Sequence, residues 1–366
     1  MLKKERVNKL AQSMRESGID VVIIGPSGDL EYFTEYAPFV DARFKALFVL
    51  SDGRCFYICP ALYHEDAVLN MGTDIKMYVW NDSAGFLSAV ATARDDYKIF
   101  NNKIAVNDTI RAVDLLDIED IVDAEFSKAS QMLGTLRLYK DDEELANLKT
   151  ASKMADEVMK EVIEYIRPGL TEGNIKDKIK ELFKLKGADG LSFEPIVACG
   201  ANTSQPHYGG ETGRIKEKDI VILDFGCRYK GYCSDTTRTV FIGDVTDEQK
   251  KIYDIVLSAN QKAEQAVKAG LTAEQIDKTA RAIIEIAGYG EYFVHRTGHG
   301  IGLSVHEAPN IMEGNKQILS RGIVFSVEPG IYIPGKFGIR IEDLVHVTEH
   351  GAEVLNATTK ELIVIK

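Results

Sequence analysis

Cysteine is scarce and unpatterned in this chain. There are five, Cys55, Cys59, Cys199, Cys227 and Cys233, an odd number with no CxxC among them. That excludes a zinc ribbon, a thioredoxin-like motif and a disulfide framework, and predicts free thiols in a reducing cytoplasm. No run approaches the ~18 consecutive apolar residues of a membrane-spanning helix. The opening MLKKERVNKLAQSM is basic but has no apolar stretch behind it, so no secretory leader is expected. Basic excess is also missing. The formal net charge is −12, which argues against nucleic-acid partners, because phosphate binding needs clustered Lys and Arg. The same surplus leaves carboxylates free to hold cations. No GxGxxG follows a strand, and no HExxH occurs, so a dinucleotide fold and a zincin helix are both disfavoured. Histidine is rare too, with only 7 in 366 residues, yet three fall within HRTGHGIGLSVHE at 295–307.

The length leaves room for two domains. VNKLAQSMRESGIDVVIIG predicts an amphipathic helix stopped by Gly18, then a buried strand ending at Gly25. KALFVLSDGRCFYIC predicts a hairpin turning at Asp52-Gly53. YKIF and KIAV are strand-like. This is a mixed α/β domain at 1–133, with GTLRLYK as the connection to a second domain at 134–366. That second domain opens on a long helix, KDDEELANLKTASKMADEVMKEVIEYI, closed by Pro168-Gly169. Strands with glycine turns and two further helices follow, without strict βαβ alternation, so its class is α+β.

Two hairpins each carry a pair of acids. In DIVILDFGCRYKGYCSDTTRTVFIG, a turn at Tyr229-Lys230 sets Asp224 opposite Asp235. In FSVEPGIYIPGKFGIRIEDLVHVTE, a turn centred on Gly335 sets Glu328 opposite Glu342, with Pro329-Gly330 interrupting the first strand. Opposed carboxylates destabilise a sheet. At about 4 Å they repel by roughly 4 kcal/mol at an effective dielectric of 20. Something positive is needed between them, either a metal or a single Lys or Arg.

As a helix, HRTGHGIGLSVHE would put His295, His299 and His306 roughly on one face. Gly298, Gly300 and Gly302 would then each cost about 1 kcal/mol. Alternate glycines instead predict a strand with one bare face, approached closely by another backbone or a ligand. Four carboxylates and one neutral imidazole carry a charge that two divalent cations balance, and oxygen-rich ligation with one nitrogen suits Mn, Co or Fe, and Zn less distinctively. Such a pair is machinery for hydrolysis.

The order Asp, Asp, His, Glu, Glu, and the blocks DFGCRYKGYCSDTTRTV, TGHGIGLSVHE, SVEPGIY and GIRIED, resemble the pita-bread metallopeptidases: methionine aminopeptidase, aminopeptidase P and prolidase. The resemblance implies metal ligands at Asp224, Asp235, His299, Glu328 and Glu342, with Glu328 passing protons to and from a hydroxide that bridges two metals. His207, in NTSQPHYGG, and His306 match the family's two substrate-side histidines. His295 and Arg340 resemble the proline-specific branch, where these positions and Tyr332 surround the substrate's proline, and Arg340 with Tyr332 also reaches Asp224. The first domain resembles the creatinase/prolidase N-domain. Creatinase has lost the metal ligands; all five are intact here. One departure is Cys199-Gly200, where relatives often have Ser-Gly.

What the resemblance implies is a cytoplasmic, homodimeric peptidase that uses Mn or Co (Zn or Fe being the alternatives) to cleave the bond before a penultimate proline, with no nucleic-acid or membrane partner. Dipeptides only, or longer peptides, remain open. Methionine aminopeptidase activity and a non-catalytic binding role on the same fold are the other readings. Lone Trp80 is assigned to a core or an interface and not to the site.

Overall fold

The computed structural model describes all of residues 1–366 and divides into two compact units, Met1–Arg137 and Leu138–Lys366. In the first, six strands form one sheet in the order Lys76–Trp80, Cys55–Pro60, Ala46–Leu50, Val21–Ile24, Asn102–Val106, Ala124–Lys128. The predicted helix runs Lys4–Ser17 and ends where Gly18 turns left-handed at φ 66°. The Asp52-Gly53 hairpin forms as read, pairing Val49 with Cys55. YKIF does not form a strand. The helix Phe86–Tyr97 runs into it, and Lys98 and Asn101 take positive φ, so its apolar Ile99 is buried from a turn. Trp80 lies in the core and donates its indole N–H to Phe44 O. Most of the expected connection, residues 134–138 of GTLRLYK, is helical, being the end of the helix Ser130–Leu138, and the boundary expected at 133 lies within that helix.

The second unit is built on two helix pairs and two sheet systems. Asp142–Tyr165 and Glu172–Leu185 pack over a four-stranded sheet in the order Ile363–Ile365, Thr236–Ile242, Ile220–Phe225, Ile196–Cys199. Asp247–Ala266 and Ala273–Ile286 cover a five-stranded sheet containing Gly298–Gly300, Val324–Val327 and Asp343–Val347. Three of these helices start at capping boxes, Asp141–Glu144, Thr171–Asn174 and Thr246–Gln249. In each, two otherwise orphaned N–H groups are satisfied reciprocally. The two sheets meet at a single bridge, Thr237 to Glu342, which brings one acid hairpin to the other. The α+β reading of this unit holds. No helix is long and apolar enough to cross a membrane, and all five cysteines are free thiols.

Candidate metal centre

The first acid hairpin has a different register from the one expected. Its turn is Lys230-Gly231, both at positive φ (47° and 81°), which suits a two-residue hairpin turn and moves the pairing by two positions. Asp224 therefore pairs with Thr237, and Asp235 lies two residues before that partner. An even shift keeps both acids on one face of the sheet, whereas an odd one would have separated them. The second hairpin has the expected register. Ile331 pairs with Ile339 and Gly330 with Arg340, and Val327 pairs with Asp343 beyond the break at Pro329. Glu328 and Glu342 face each other across that break.

His299 enters from a third strand. Gly298–Gly300 is extended, with a register shift between His299 and Gly300. The bare face of this stretch is filled by protein and not by open space. A Cβ on Gly298 would lie 1.8 Å from Ser326 O, one on Gly300 2.0 Å from Ala308 O, and one on Gly302 2.3 Å from the Glu307 carboxylate. Close backbone approach is what these glycines allow. The result is a converging set in which the ligating atoms of Asp235, His299 and Glu342 all lie within 4.8 Å of one another. His299 Nε2 is 3.6 Å from Asp235 and 3.4 Å from Glu328.

The donor set fits a cation. His299 Nδ1 is 3.1 Å from Gly300 O, so that nitrogen carries the proton and Nε2 turns its lone pair toward two carboxylates. Burial, then the charge of His306, lowers the His299 pKa to about 3, so the ring is neutral at physiological pH. One oxygen on each of Asp224, Asp235 and Glu342 is buried without a hydrogen-bond partner. Burial first, then the neighbouring acids, push Asp235 and Glu342 well above the usual carboxylate range. Lone pairs facing lone pairs, with three acceptors unmet, is an arrangement that divalent cations resolve. Arg340 neutralises only part of it, by donating to the other oxygen of Asp224.

Around this centre the remaining expected residues fall into two groups. His306 sets its ring edge-on to His299, with centroids 4.2 Å apart. His207 is exposed on the loop after residue 204, near enough for its charge to act on Asp224, His295 and His306. The second group is a chain of hydrogen bonds. Arg340 donates to Tyr332 Oη at 2.8 Å, and Tyr332 Oη lies 2.9 Å from His295 Nε2. His295 Nδ1 meets Arg296 O at 2.7 Å, so it carries the proton and Tyr332 donates to Nε2. Burial, then Arg340, lowers the His295 pKa to about 4, leaving it neutral.

Several residues that hold this set in place were not anticipated. Thr237 donates to Glu342 at 2.6 Å, and Ser326 bridges the His299 N–H (3.0 Å) and the Glu328 carboxylate (3.2 Å). Asp277 accepts from Thr297 Oγ1 at 2.7 Å, and its ion-pair partner Arg281 donates to His295 O at 2.9 Å. Alternation offered a signal for Thr237, two residues past Asp235 on the same face. None existed for Asp277 or Arg281, which sit on a helix distant in sequence.

Fold and centre together define a metal-dependent hydrolase. The chain belongs to metallopeptidase family M24, whose model matches residues 146–349, and residues 6–139 match the creatinase/prolidase N-terminal domain. It is 37% identical over 367 residues to the Xaa-Pro dipeptidase of Lactobacillus delbrueckii subsp. lactis, covering 98% of each chain. Among solved structures it is similar to the prolidase from Thermococcus sibiricus (TM-score 0.96, 38% identity, 100% of both chains). It is also similar to the X-Pro aminopeptidase from Thermotoga maritima (TM-score 0.88, 32% identity, 100% of both chains).

Proposed function

We propose that the protein is an Xaa-Pro dipeptidase, hydrolysing the peptide bond that precedes proline, with divalent cations held by Asp224, Asp235, His299, Glu328 and Glu342. The observation that carries this reading is the neutral His299 lone pair turned into a ring of buried, partly unpaired carboxylates. It occurs in a chain similar along its length to Xaa-Pro dipeptidases. Bound there, two cations would supply an activated water and a Lewis acid for the scissile carbonyl. Oxygen-rich ligation with a single imidazole supports Mn, Co or Fe over Zn.

The chain's own groups supply the rest. Glu328 takes a proton from the attacking water and returns it to the departing proline nitrogen. Burial, opposed by Arg340, raises its carboxyl to about 7, where it can both accept and release a proton. His306 and His207 present ring N–H groups to the oxygen that gains charge as the carbonyl carbon becomes tetrahedral. Neutral His295, with Tyr332 beside it and Phe293 edge-on at 5.2 Å, forms a flat wall for the proline ring. Arg340 fixes that wall by bonding Tyr332, and at the same time fixes Asp224.

Cleavage of longer Xaa-Pro peptides is the second reading, favoured by the similarity to the Thermotoga maritima X-Pro aminopeptidase. The free cysteines support a reducing cytoplasmic setting. We infer a homodimer, which sedimentation would test. The deciding experiment is a panel of Xaa-Pro, Xaa-Pro-Xaa and Met-Ala peptides, assayed after chelation and after refilling with Mn, Co or Zn. Chelation should abolish turnover, Mn or Co should restore it best, and Xaa-Pro should be cleaved fastest. Full activity after chelation, or in Glu328→Ala, would overturn the mechanism; preference for Met-Ala would overturn the specificity.

A further inference from the structure

One fully buried carboxylate outside the acid centre has no part in the chemistry above. Glu172 opens the helix Glu172–Leu185 and is 0% exposed. Its Oε1 accepts from Cys199 N and Asn202 Nδ2, both at 2.9 Å. Its Oε2 accepts from Tyr208 Oη at 3.0 Å and Gly213 N at 2.9 Å. These four donors come from the start, middle and end of a single loop, and His207 lies beside one of them. Gly213 is a glycine for this reason, since a Cβ there would sit 2.5 Å from the carboxylate.

The backbone strengthens the same clamp. Glu172 N donates to Gly213 O and Gly173 N to Glu211 O, each at 2.9 Å, and Lys176 one turn on donates to Gly210 O at 2.9 Å. On its other side the loop meets the centre itself. Arg340 donates to Pro206 O at 3.2 Å, and Thr203 Oγ1 accepts from Gly338 N at 2.9 Å. His207 is therefore an exposed side chain on a segment pinned from behind by one carboxylate and in front by the strand that carries Arg340. The Glu172 carboxylate supplies four of the bonds that hold the loop from behind, and it alone reaches residues at both ends of it.

We propose that Glu172 is the positioning residue that sets His207 against the reacting centre, by gathering both ends of the 200–213 loop onto one carboxylate. The proposal rests on the substrate-side role given to His207 above. Its test is a double-mutant cycle of Glu172→Gln and His207→Ala, read as kcat and KM on an Xaa-Pro dipeptide. The amide introduced by Glu172→Gln would face the Gly213 N–H with a second donor, so the loop loses part of its anchor at little change in volume. A misplacement of about 1 Å predicts a roughly 10- to 100-fold loss of kcat/KM in the otherwise native protein. In the His207→Ala background the same change should cost less than about twofold. Equal losses in both backgrounds, or no loss in either, would overturn the proposal.

Hydrogen exchange of residues 199–213 separates the two layers. Faster exchange in Glu172→Gln supports the clamp, and native protection would refute it whatever the kinetics. His207→Ala at native activity would refute instead the role given to the histidine. Should Glu172→Gln fail to fold, Tyr208→Phe removes one donor and leaves the carboxylate in place. It should cost about threefold in kcat/KM, again only when His207 is present.

Discussion

Replacing Arg238 by methionine should weaken the fold and the centre together. Arg238 is completely buried and donates five hydrogen bonds. They go to Thr359 O (3.0 Å), Thr237 O (2.9 Å), Glu342 O (2.7 Å), Asp343 Oδ1 (2.7 Å) and Thr358 O (2.6 Å). Methionine fills much of the volume but returns none of these bonds. Breaking a buried ion pair by removing one partner costs about 3–5 kcal/mol, chiefly because the other charge is left uncompensated. Here Asp343 keeps Lys360, whose ammonium is 2.6 Å from Oδ2, so the lower end applies. The carbonyls of Thr358 and Thr359 belong to partly exposed residues and can turn to water, while that of Glu342 belongs to a buried one. A cost of about 3 kcal/mol follows. For a unit of this size that lowers Tm by roughly 6–12 °C, measured by calorimetry on the chelated protein.

The second consequence is at the metal. The Glu342 carbonyl that Arg238 holds is the backbone of a proposed ligand, and losing such an outer partner typically weakens metal affinity by about 10- to 100-fold. Titration of Mn into the chelated variant, followed by calorimetry, reads this without any substrate. Arg238→Lys separates the two effects. It keeps a charge for Asp343, and so should recover part of the stability, but it cannot span both Asp343 and Glu342 O, and so should stay weak for metal. A Tm fall of less than about 3 °C in Arg238→Met would refute the stability reasoning, which assumes that the pair is broken and not replaced. A full fall with native Mn affinity would refute the link from Arg238 to the ligand.

Gly300→Ala should be lost to aggregation or destabilised by more than about 3 kcal/mol, because its Cβ would meet the backbone oxygen of Ala308 at 2.0 Å; soluble yield and Tm check this. Gly134→Ala is the opposite case: it lies in the helix Ser130–Leu138 with nothing within 4 Å of a new Cβ, and should raise stability by about 0.5–1 kcal/mol. His295 makes the chelated protein acid-sensitive. Its folded pKa of about 4 lies below the ordinary value of 6.5, so its contribution is complete above pH 6.5 and is lost as pH falls toward 4. Between about pH 7 and pH 5 this amounts to about 1–2 kcal/mol, which should be missing from the pH slope of His295→Asn in urea unfolding; parallel slopes would refute it.

How much of this was legible in the sequence follows from period and chemistry. The acid pairs could be read because each hairpin has two recognisable arms, and face is robust to register errors of two. The turn at Lys230-Gly231 was missed because lysine at positive φ carries no signal in its side chain, yet Asp224 and Asp235 still share a face. YKIF was misread because a short apolar run looks alike in a strand and in a helix end, and only the left-handed Lys98 decides between them. The glycines of TGHGIG indicated the strand and the close approach, while the occupant of that space, the backbone of Ser326 and Ala308, was out of reach.

Three of the charged residues that remained invisible share one property: each makes much of its contact with backbone atoms elsewhere in the chain. Glu172 gathers N–H groups from residues 199 and 213, Arg238 gathers carbonyls from 342, 358 and 359, and Arg281 gathers carbonyls from 293 and 295. A backbone partner has no identity in the sequence, so no motif can form between the two ends of such a bond. A ligand set is constrained by side-chain chemistry at every member and leaves a pattern of acids and histidine. A supporting group of this kind is constrained at one end only, and leaves a single buried charge that looks like any surface residue until the chain is folded. That asymmetry explains why the centre could be read from the sequence, while the groups that keep it in geometry required the structure.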